Sequence, residues 1–451
     1  MDKRCSNKNW GLFRLIEKNA RYHAFQILLH FEQSNKQLKI IRNNYYDKNN
    51  LTQQQISRSF VLSNEVIRWK RRLDYWIEKK IDKSFKTLTP KVIQILRLGY
   101  YESVIDNDVP SYAAVNSWVE LSKKIFNRKI TGFINAVLRK SNQIDANEKD
   151  ANQSIGSWYS YPDWLIDDWV KKYGKLKTIK LCNWFNLPTH TDIRISSDLD
   201  RIKKYIDSLS IKHKNSPHSN RFIRVQSGIK QILNSKFFKS GVINIQDRAS
   251  GAIVELLNPS ENSIVLDVCA APGTKSLYLL EMIKGNGTLF CSDINPERVK
   301  IGLNRTKIFD KPPIEWNCKD ASSDQFPLAD FILIDAPCSS SGVIRRRPDI
   351  RWNRSKKDIR LMAERQLKII NNMSQYLNPN GIIVYSTCSL NDEENWDVVD
   401  SFLKLNKDFY LESAKNFIPD QWINSKECLE IFPPKHNVDG MFAARLKKYA
   451  K

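Results

Sequence analysis

The chain has 451 residues, of which 41% are hydrophobic and 27% are charged, and its formal net charge at pH 7 is +23. This length predicts two or three domains with separate cores, and the apolar runs are much shorter than the roughly 20 residues of a membrane span, which argues against a membrane protein. The eight cysteines lack the close Cys-x-x-Cys or Cys/His spacing of zinc sites, so no metal site is expected.

The positive charge is concentrated near the N-terminus. Residues 1–140 contain 27 Lys and Arg against 12 Asp and Glu, a net +15, whereas the other 311 residues contain 45 against 37, a net +8. Such an excess predicts binding to a polyanion, with RNA as the candidate, although compositional bias in a chain rich in Asn, Lys and Ile would also produce it. The N-terminus lacks the apolar core of a signal peptide, and we expect a cytoplasmic protein.

The first third of the chain is predicted to be helical. Apolar residues recur at helical spacing in four segments, at residues 21–29, 92–99, 111–121 and 133–139. Pro90 suits the first turn of the second of these helices. The pattern predicts an all-α bundle.

Two segments of this bundle resemble a known RNA-binding domain. Residues 109–116 read VPSYAAVN and residues 132–139 read GFINAVLR, and both are similar to the NusB-type domain over about residues 10–140. The resemblance implies a helical RNA-binding domain, to which we assign residues 1–145. A bundle that only stabilises the rest of the chain is the alternative.

A linker and a smaller domain are predicted to follow. Residues 141–155 are polar and aperiodic, which is typical of a linker. Beyond them, a helical stretch through Trp169 is followed by short strand-like pieces such as residues 192–196. We therefore expect a small α+β linking domain over residues 146–236.

The last half of the chain changes to alternating strands and helices. Short apolar runs at residues 264–268, 288–291, 331–334 and 382–385 are separated by helical stretches. This alternation predicts a parallel sheet covered on both faces by helices, over residues 237–451. Ligands of such sheets bind beyond the carboxyl ends of the strands.

Three sequence motifs lie at these strand ends. Residues 266–275 read LDVCAAPGTK, an apolar strand that breaks into a turn of small residues before a helix, as nucleotide-type cofactors require. Residues 335–339 read DAPCS and residues 385–389 read YSTCS, so Cys338 and Cys388 each follow an apolar run. Two thiols at the ends of two buried strands, together with a cofactor turn, indicate covalent chemistry that depends on a cofactor.

The three motifs resemble those of the RNA cytosine-C5 methyltransferase family, over about the last half of the chain. The resemblance implies a Rossmann-like α/β domain that uses S-adenosylmethionine, preceded by a small α+β domain that takes part in RNA recognition. Two segments depart from the family pattern: Thr274 replaces the second glycine of the first motif, and Ser340-Ser341-Gly342 replaces Gly-Thr-Gly. The β-carbon of Thr274 is expected to restrict the approach of the backbone to the cofactor.

The family resemblance also implies which residues bind S-adenosylmethionine. Asp293 would accept hydrogen bonds from the ribose hydroxyls, Asp320 would meet the adenine amino group, and Asp335 would lie where the cofactor and the cytosine meet. Each has a simpler alternative, namely a helix cap, a turn residue and a strand-end residue, respectively. The turn contributes seven further residues: Cys269, Ala270, Ala271, Pro272, Gly273, Thr274 and Lys275.

The two cysteines are the candidate catalytic residues. A thiolate that adds to C6 of cytosine breaks the aromaticity of the ring and makes C5 nucleophilic, and a base must later remove the C5 proton. Spacing alone leaves the two roles open, since DNA cytosine methyltransferases attack with the Pro-Cys cysteine. The resemblance to the RNA family implies Cys388 as the nucleophile and Cys338 as the residue that assists release.

Two further segments lie near the thiols in the sequence. Residues 345–357 form an arginine-rich stretch with Trp352 that resembles the family's Arg-x-Pro-Asp-Ile-x-Trp segment. We expect it to contact RNA phosphate near a flipped-out base, and a solvated charged loop is the alternative. Residues 391–395 read NDEEN, a pattern that predicts a helix start with Asn391 as the cap.

The pairing of a NusB-like bundle with this methyltransferase domain resembles the small-subunit ribosomal RNA enzymes of the Sun or Fmu type. It implies methylation of cytosine C5 in 16S ribosomal RNA, at cytosine 967, through a covalent Cys–C6 adduct. Small-subunit ribosomal RNA is then the expected partner, with no membrane and no obligate protein partner. The alternatives are a transfer RNA or 23S ribosomal RNA cytosine-C5 methyltransferase, or a catalytically silent NusB-like RNA-binding factor.

Overall fold

The computed structural model describes residues 19–34, 36–82, 84–284, 286–308 and 313–450. It divides into two compact units. The first comprises the chain up to Asn186 together with Arg346–Asn353, and the second comprises Leu187–Arg345 together with Arg354–Lys451.

The limits of the three domains that the sequence suggests, at residues 145 and 236, stay a prediction. Residues 10–18, where the NusB-like resemblance begins, lie outside the described residues. Among the residues described, no helix combines the length and the apolarity needed to cross a membrane.

The first unit is helical, as the periodicity of the first third predicts. Its helices begin at residues suited to capping: Thr52 forms a capping box with Gln55, and Thr89 caps the helix that has Pro90 in its first turn. The apolar faces of the helices up to Leu138 pack into one core that includes the fully buried Trp118. The helices are α1 (Ala20–Glu32), α2 (Leu38–Lys48), α3 (Gln53–Glu78), α4 (Pro90–Tyr100), α5 (Ser111–Ile125), α6 (Arg128–Arg139), α7 (Ile155–Tyr159), α8 (Asp163–Tyr173) and α9 (Lys175–Asn186).

The segment Arg346–Asn353 belongs to this helical unit. Arg351 is 1% exposed, and its guanidinium lies over the Tyr161 ring, 3.9 Å from the centroid. Trp352 Nε1 donates to the Ile67 carbonyl at 2.8 Å. The Arg351 guanidinium donates to four oxygen atoms: Arg68 O at 2.9 Å, Ser160 O at 3.0 Å, Phe185 O at 3.3 Å and Asn186 Oδ1 at 2.7 Å.

Because Arg351 is buried, a solvated charged loop is wrong for this residue, whereas contact of residues 345–357 with RNA phosphate stays a prediction. Arg351 is drawn inside because α7 and α9 end beside it, and the last carbonyl oxygens of a helix have no partner within the helix. A positive charge at a helix C-terminus is also favourable. Burial lowers the pKa of Arg351 to about 10, so the side chain stays charged at neutral pH.

The second unit begins with a small antiparallel sheet in the order β2-β3-β1-β4. Isoleucines from its strands and from the adjoining helices form a separate core, which confirms the predicted small α+β fold. His213, in β2, lies 2.9 Å from the carboxylate of Asp207. The elements are β1 (Thr191–Ile195), α10 (Leu199–Ser208), β2 (His213–Asn215), β3 (Phe222–Val225), α11 (Ile229–Asn234), α12 (Lys236–Lys239) and β4 (Ile243–Ile245).

The larger sheet of this unit has the strand order β10-β12-β9-β8-β5-β6-β7, with β11 paired to β12. Its elements are α13 (Arg248–Leu257), β5 (Ile264–Val268), α14 (Thr274–Met282), β6 (Thr288–Asp293), α15 (Pro296–Thr306), β7 (Ile314–Cys318), β8 (Ala329–Asp335), α16 (Lys356–Ser374), β9 (Leu377–Thr387), α17 (Trp396–Leu405), β10 (Phe409–Glu412), β11 (Leu429–Glu430), α18 (Pro433–His436) and β12 (Phe442–Lys448).

The five strands from β9 to β7 are parallel, and β12 runs antiparallel to both of its neighbours in the sheet order. The order reverses between β5 and β8, because the chain passes outward from β5 to β7 and then returns to β8 on the other side of β5. Such a reversal point opens a crevice at the carboxyl ends of the strands, where ligands bind. The predicted Rossmann-like α/β architecture is confirmed, with the antiparallel β12 making the sheet mixed.

Candidate active site

The two cysteines of the sequence motifs lie at the ends of neighbouring strands. β8 ends at Asp335 and β9 at Thr387, and the two strands pair in parallel with Asp335 opposite Ser386. This register brings Cys338 and Cys388 together, with their Sγ atoms 3.3 Å apart. Cys338 is 9% exposed and Cys388 is partly buried.

The two thiols differ in acidity. Hydrogen bonds from the Cys338 thiol and the Ser340 hydroxyl lower the pKa of Cys388, and they outweigh the opposing effect of burial. The same thiol–thiol contact, together with burial, raises the pKa of Cys338 well above that of an ordinary thiol. These directions favour Cys388 as the thiol that ionises first, and once it is a thiolate, Cys338 is the donor of the contact between the two sulfur atoms.

The turn of small residues follows β5. Cys269 has a φ of +60° and Gly273 a φ of +88°, a left-handed conformation that glycine adopts without strain. A β-carbon on Gly273 would lie 3.2 Å from the Trp316 ring. Thr274 begins α14, and its hydroxyl accepts a hydrogen bond from Arg305 at 2.8 Å. The side chain that replaces the family's glycine is thus tied to α15.

Asp293 ends β6, the strand beside this turn. It is 2% exposed, and its Oδ1 accepts a hydrogen bond from the Asn295 amide at 3.0 Å. Its Oδ2 makes no hydrogen bond, although Arg298 Nη1 lies 3.0 Å away as an ion-pair partner. Arg298 also donates to the carbonyl oxygen of Ala271, and the Ala270 amide donates a hydrogen bond to a backbone carbonyl of β6 at 2.8 Å. The buried Oδ2 keeps the capacity to accept a further hydrogen bond.

Asp320 follows β7, and Asp335 ends β8. Asp320 Oδ1 accepts two hydrogen bonds from Ser322, from the amide at 2.9 Å and from the hydroxyl at 2.7 Å. Asp335 Oδ2 accepts one from Lys275 Nζ at 2.7 Å. Because β8, β5, β6 and β7 are consecutive in the sheet, their ends bring residues 269–275 and the three aspartates to one edge.

Asp267, which we leave as structural, lies within β5. It is fully buried and accepts a hydrogen bond from the Ser276 hydroxyl at 2.6 Å. Burial raises the pKa of Asp267 to about 7. In the part of the chain that the structure describes, no group of three or more His, Cys, Asp and Glu side chains is placed to hold a metal ion.

The helix start predicted at residues 391–395 is confirmed only as a 3-10 turn, and the predicted capping by the Asn391 side chain is wrong. These residues contain a single 3-10 turn, Asp392–Glu394, and α17 begins at Trp396. Asn391 makes no capping hydrogen bond with its side chain, because its amide donates to Ser339 Oγ at 3.1 Å beside the thiols. Glu394 in the same run is completely buried, and sequence reasoning missed it because no local pattern separates it from an exposed acid.

Comparison with known proteins covers both parts of the chain. The model of the family described as 16S rRNA methyltransferase RsmB/F matches residues 254–447, and that of the NusB family matches residues 18–143. The probable ribosomal RNA small subunit methyltransferase B of Bacillus subtilis is 28% identical over 449 residues, covering 95% of this chain and 99% of the relative. Ribosomal RNA small subunit methyltransferase B of Photorhabdus laumondii is 30% identical over 402 residues, covering 86% of this chain and 89% of the relative.

Two solved structures share the fold. The crystal structure of PH0851 superposes with a TM-score of 0.78 at 20% identity and covers 96% of this chain and 99% of its own. NSun6 from Pyrococcus horikoshii, solved with SFG, gives a TM-score of 0.57 at 20% identity and covers 65% of this chain and 100% of its own. Identities this low establish a common fold only.

Proposed function

Because the chain belongs to the ribosomal RNA small subunit methyltransferase B family, we propose that it transfers a methyl group from S-adenosylmethionine to C5 of a cytosine in 16S ribosomal RNA, cytosine 967. The observation that carries the proposal is the 3.3 Å contact between the sulfur atoms of Cys338 and Cys388 at the crevice edge. Methylation at C5 needs one group that adds to the ring and another that assists release. The pair of thiols supplies both.

The residues at the strand ends fit S-adenosylmethionine, which when bound supplies an electrophilic methyl group on a sulfonium sulfur. Asp293 Oδ2, which accepts no hydrogen bond, suits the ribose hydroxyls. Residues 269–275 contribute backbone amides from the neighbouring turn, and Asp320 is the proposed acceptor for the adenine amino group. Thr274 is compatible with this role, because Arg305 holds its hydroxyl.

Cys388 is the proposed nucleophile. Its thiolate adds to C6 of the cytosine, and the electron pair of the C5–C6 double bond makes C5 a carbon nucleophile that takes the methyl group. The lowered pKa of Cys388 increases the fraction of thiolate at neutral pH. C5 then carries both the new methyl group and its original hydrogen.

Release requires loss of the C5 proton to a base, which restores the C5–C6 double bond and expels the Cys388 thiolate. The Cys338 thiol, directed at the Cys388 sulfur, stabilises that departing thiolate and is the proposed assistant for this step. Asp335, held by Lys275 at 2.7 Å, is the proposed contact to the cytosine.

The NusB-like residues 1–145 are proposed to bind the RNA substrate. The match to the NusB family over residues 18–143 and the net charge of +15 on residues 1–140 support this role. A surface of this charge gives an affinity that falls steeply with salt concentration.

The direct test maps 5-methylcytosine by bisulfite sequencing in RNA from cells with and without this protein. Loss of methylation at cytosine 967 of 16S RNA is the expected result. Loss at a cytosine of transfer RNA or 23S RNA would replace the substrate in the proposal, and an unchanged methylation map would favour a catalytically silent RNA-binding factor.

The pH dependence of thiol alkylation should separate the two cysteines. The iodoacetamide labelling rate of Cys388 should rise with pH to a plateau, with a midpoint below the roughly 8.5 of an unperturbed thiol, because the thiolate is the reactive form. Cys338→Ala removes the principal hydrogen bond to that thiolate and should move the midpoint upward. Peptide mass spectrometry measures both rates, and the exposed Cys318 provides the internal control. A midpoint that does not move would contradict the assigned hydrogen bond.

Asp293→Ala should weaken binding of S-adenosylmethionine by about tenfold, the effect of losing a hydrogen bond to a charged acceptor. RNA affinity should stay nearly unchanged, because the proposed contact of Asp293 is with the ribose of S-adenosylmethionine and not with the RNA. Titration calorimetry with the cofactor and filter binding with RNA measure the two affinities, with the exposed Glu297→Gln as the matched control. An equal loss of both affinities would remove Asp293 from the cofactor site.

A further inference from the structure

The carboxylate of Glu394 lies between the two turns that carry the thiols. Ser339, the residue after Cys338, donates its backbone amide to Glu394 Oε1 at 2.7 Å and its hydroxyl to Oε2. Ser389, the residue after Cys388, donates its hydroxyl to Oε2 at 2.5 Å. One carboxylate thus joins the residues that immediately follow the two thiols.

Two side-chain amides complete the surroundings of this carboxylate. Asn391 Nδ2 donates to Oε2 and Gln366 Nε2 to Oε1, each at 3.2 Å. Gln366 Nε2 also donates to the carbonyl of Pro337 at 2.8 Å, next to Cys338. Glu394 has no exposed surface. Burying a carboxylate costs several kcal/mol unless its hydrogen bonds are satisfied, and a fully satisfied buried network holds one geometry.

The two turns are joined in the same region by backbone contacts. The Gly342 amide donates to the Cys388 carbonyl at 2.9 Å, and the Leu390 amide donates to Ser341 Oγ at 2.8 Å. A β-carbon on Gly342 would lie 2.9 Å from that carbonyl oxygen and even closer to the backbone of Gly440. The chain therefore packs tightly around the thiols, with Glu394 as the charged group at the centre of the polar contacts.

We infer that Glu394 is a positioning residue that sets the separation and orientation of the Cys338 and Cys388 thiols. For catalysis the inference rests on the proposed function, since it assumes that both thiols act on the cytosine. The part of the inference that concerns the positions of the two thiols is independent of the proposed function, because it can be tested without RNA.

The test variant is Glu394→Gln, which keeps the shape of the side chain and removes its charge. If the new amide nitrogen takes the place of Oε1, it faces the Ser339 backbone amide, a donor that cannot turn round. If it takes the place of Oε2, the Ser339 and Ser389 hydroxyls and the Asn391 amide must reverse their hydrogen bonds. The turns must then shift, and the thiols shift with them. The matched control is Glu393→Gln, an exposed acid one residue earlier.

The first readout is disulfide formation between Cys338 and Cys388 by the oxidant diamide. Each thiol loses a hydrogen to the nitrogen–nitrogen double bond of the reagent, which becomes a hydrazine as the sulfur–sulfur bond forms. This bond tolerates little variation in geometry. The rate should fall at least about tenfold in Glu394→Gln, because a misplacement of about 1 Å can slow a reaction between positioned groups by about 100-fold. Mass spectrometry of the linked peptides measures the rate.

The second readout is methyl transfer. The kcat of Glu394→Gln should fall by about 100-fold, with the KM for S-adenosylmethionine unchanged, while Glu393→Gln behaves as the wild type. A purely structural role would lower kcat and weaken cofactor binding together, and that result would overturn the inference. If Glu394→Gln does not fold, Ser389→Ala removes one contact to the carboxylate and must reproduce the slower disulfide formation.

The two readouts also separate the inference from the proposed function. Slower disulfide formation in Glu394→Gln, in a protein whose wild type does not methylate cytosine C5, would keep the positioning role and reject the reaction. A disulfide rate equal to that of the wild type would reject the positioning role whatever the reaction is.

Discussion

Replacing Cys388 with alanine should abolish both methylation and the covalent complex with RNA, because no adduct can form without the attacking thiolate. Cys338→Ala should behave differently: addition to C6 and methyl transfer remain possible, but release is impaired, so the adduct should accumulate. The 3.3 Å contact between the sulfur atoms and the lowered pKa of Cys388 support this order of roles. Denaturing electrophoresis of each variant with RNA and S-adenosylmethionine shows a trapped complex as a band of lower mobility.

The control for the two thiol variants is Cys318→Ala, which removes an exposed cysteine outside the two thiol motifs and should methylate like the wild type. A complex trapped by Cys388→Ala, and none by Cys338→Ala, would exchange the two roles. Cys338 would then be the nucleophile, as the Pro-Cys cysteine is in DNA cytosine methyltransferases, and the reaction type would be unchanged.

Arg351→Ala should destabilise the helical unit by about 3 kcal/mol or more, because it removes several buried hydrogen bonds donated by a charged group. Arg68 O and Ser160 O each lose a bond of about 3 Å to the guanidinium, and the Tyr161 ring loses its cation. For a unit of this size, the loss corresponds to a fall of roughly 6–12 °C in the temperature of its thermal transition. Differential scanning calorimetry measures the fall.

Lys357→Ala is the control for Arg351→Ala, since it removes an exposed charge from the same arginine-rich stretch and should leave the transition in place. The expectation that residues 345–357 bind RNA phosphate predicts a different effect of Arg351→Ala. If Arg351→Ala kept the thermal transition and weakened RNA binding, a contact with phosphate would be the better description of this side chain.

The sequence predicts much of the fold because its signals are local. Buried strands appear as short runs that are mainly apolar, such as residues 264–268 and 382–385, and parallel pairing then requires the motifs after them to share one edge. The helical periodicity of the first third is equally local. The helical first third and the α/β last half can therefore both be predicted from the sequence alone.

The positions that the sequence predicts poorly depend on partners far along the chain. Arg351 lies in a stretch whose composition is typical of a solvated loop, yet oxygen atoms near residues 68, 160 and 185 draw it inside. Glu394 likewise depends on Ser339, 55 residues earlier. Asn391 has the composition of a helix cap, but a distant acceptor competes for its side chain. Local patterns contain no information about such contacts.

The membership of Arg346–Asn353 in the helical unit imposes an order of assembly during protein synthesis. Residues up to Asn186 leave the ribosome first, but the guanidinium that caps the ends of α7 and α9 is encoded about 160 residues later, a delay of roughly 8–30 s at bacterial rates of translation. Until then, Arg68 can donate to the Phe185 carbonyl, but the Ser160 carbonyl lacks the hydrogen bond that Arg351 later donates. The part of the chain made first is therefore completed only after most of the second unit has been translated.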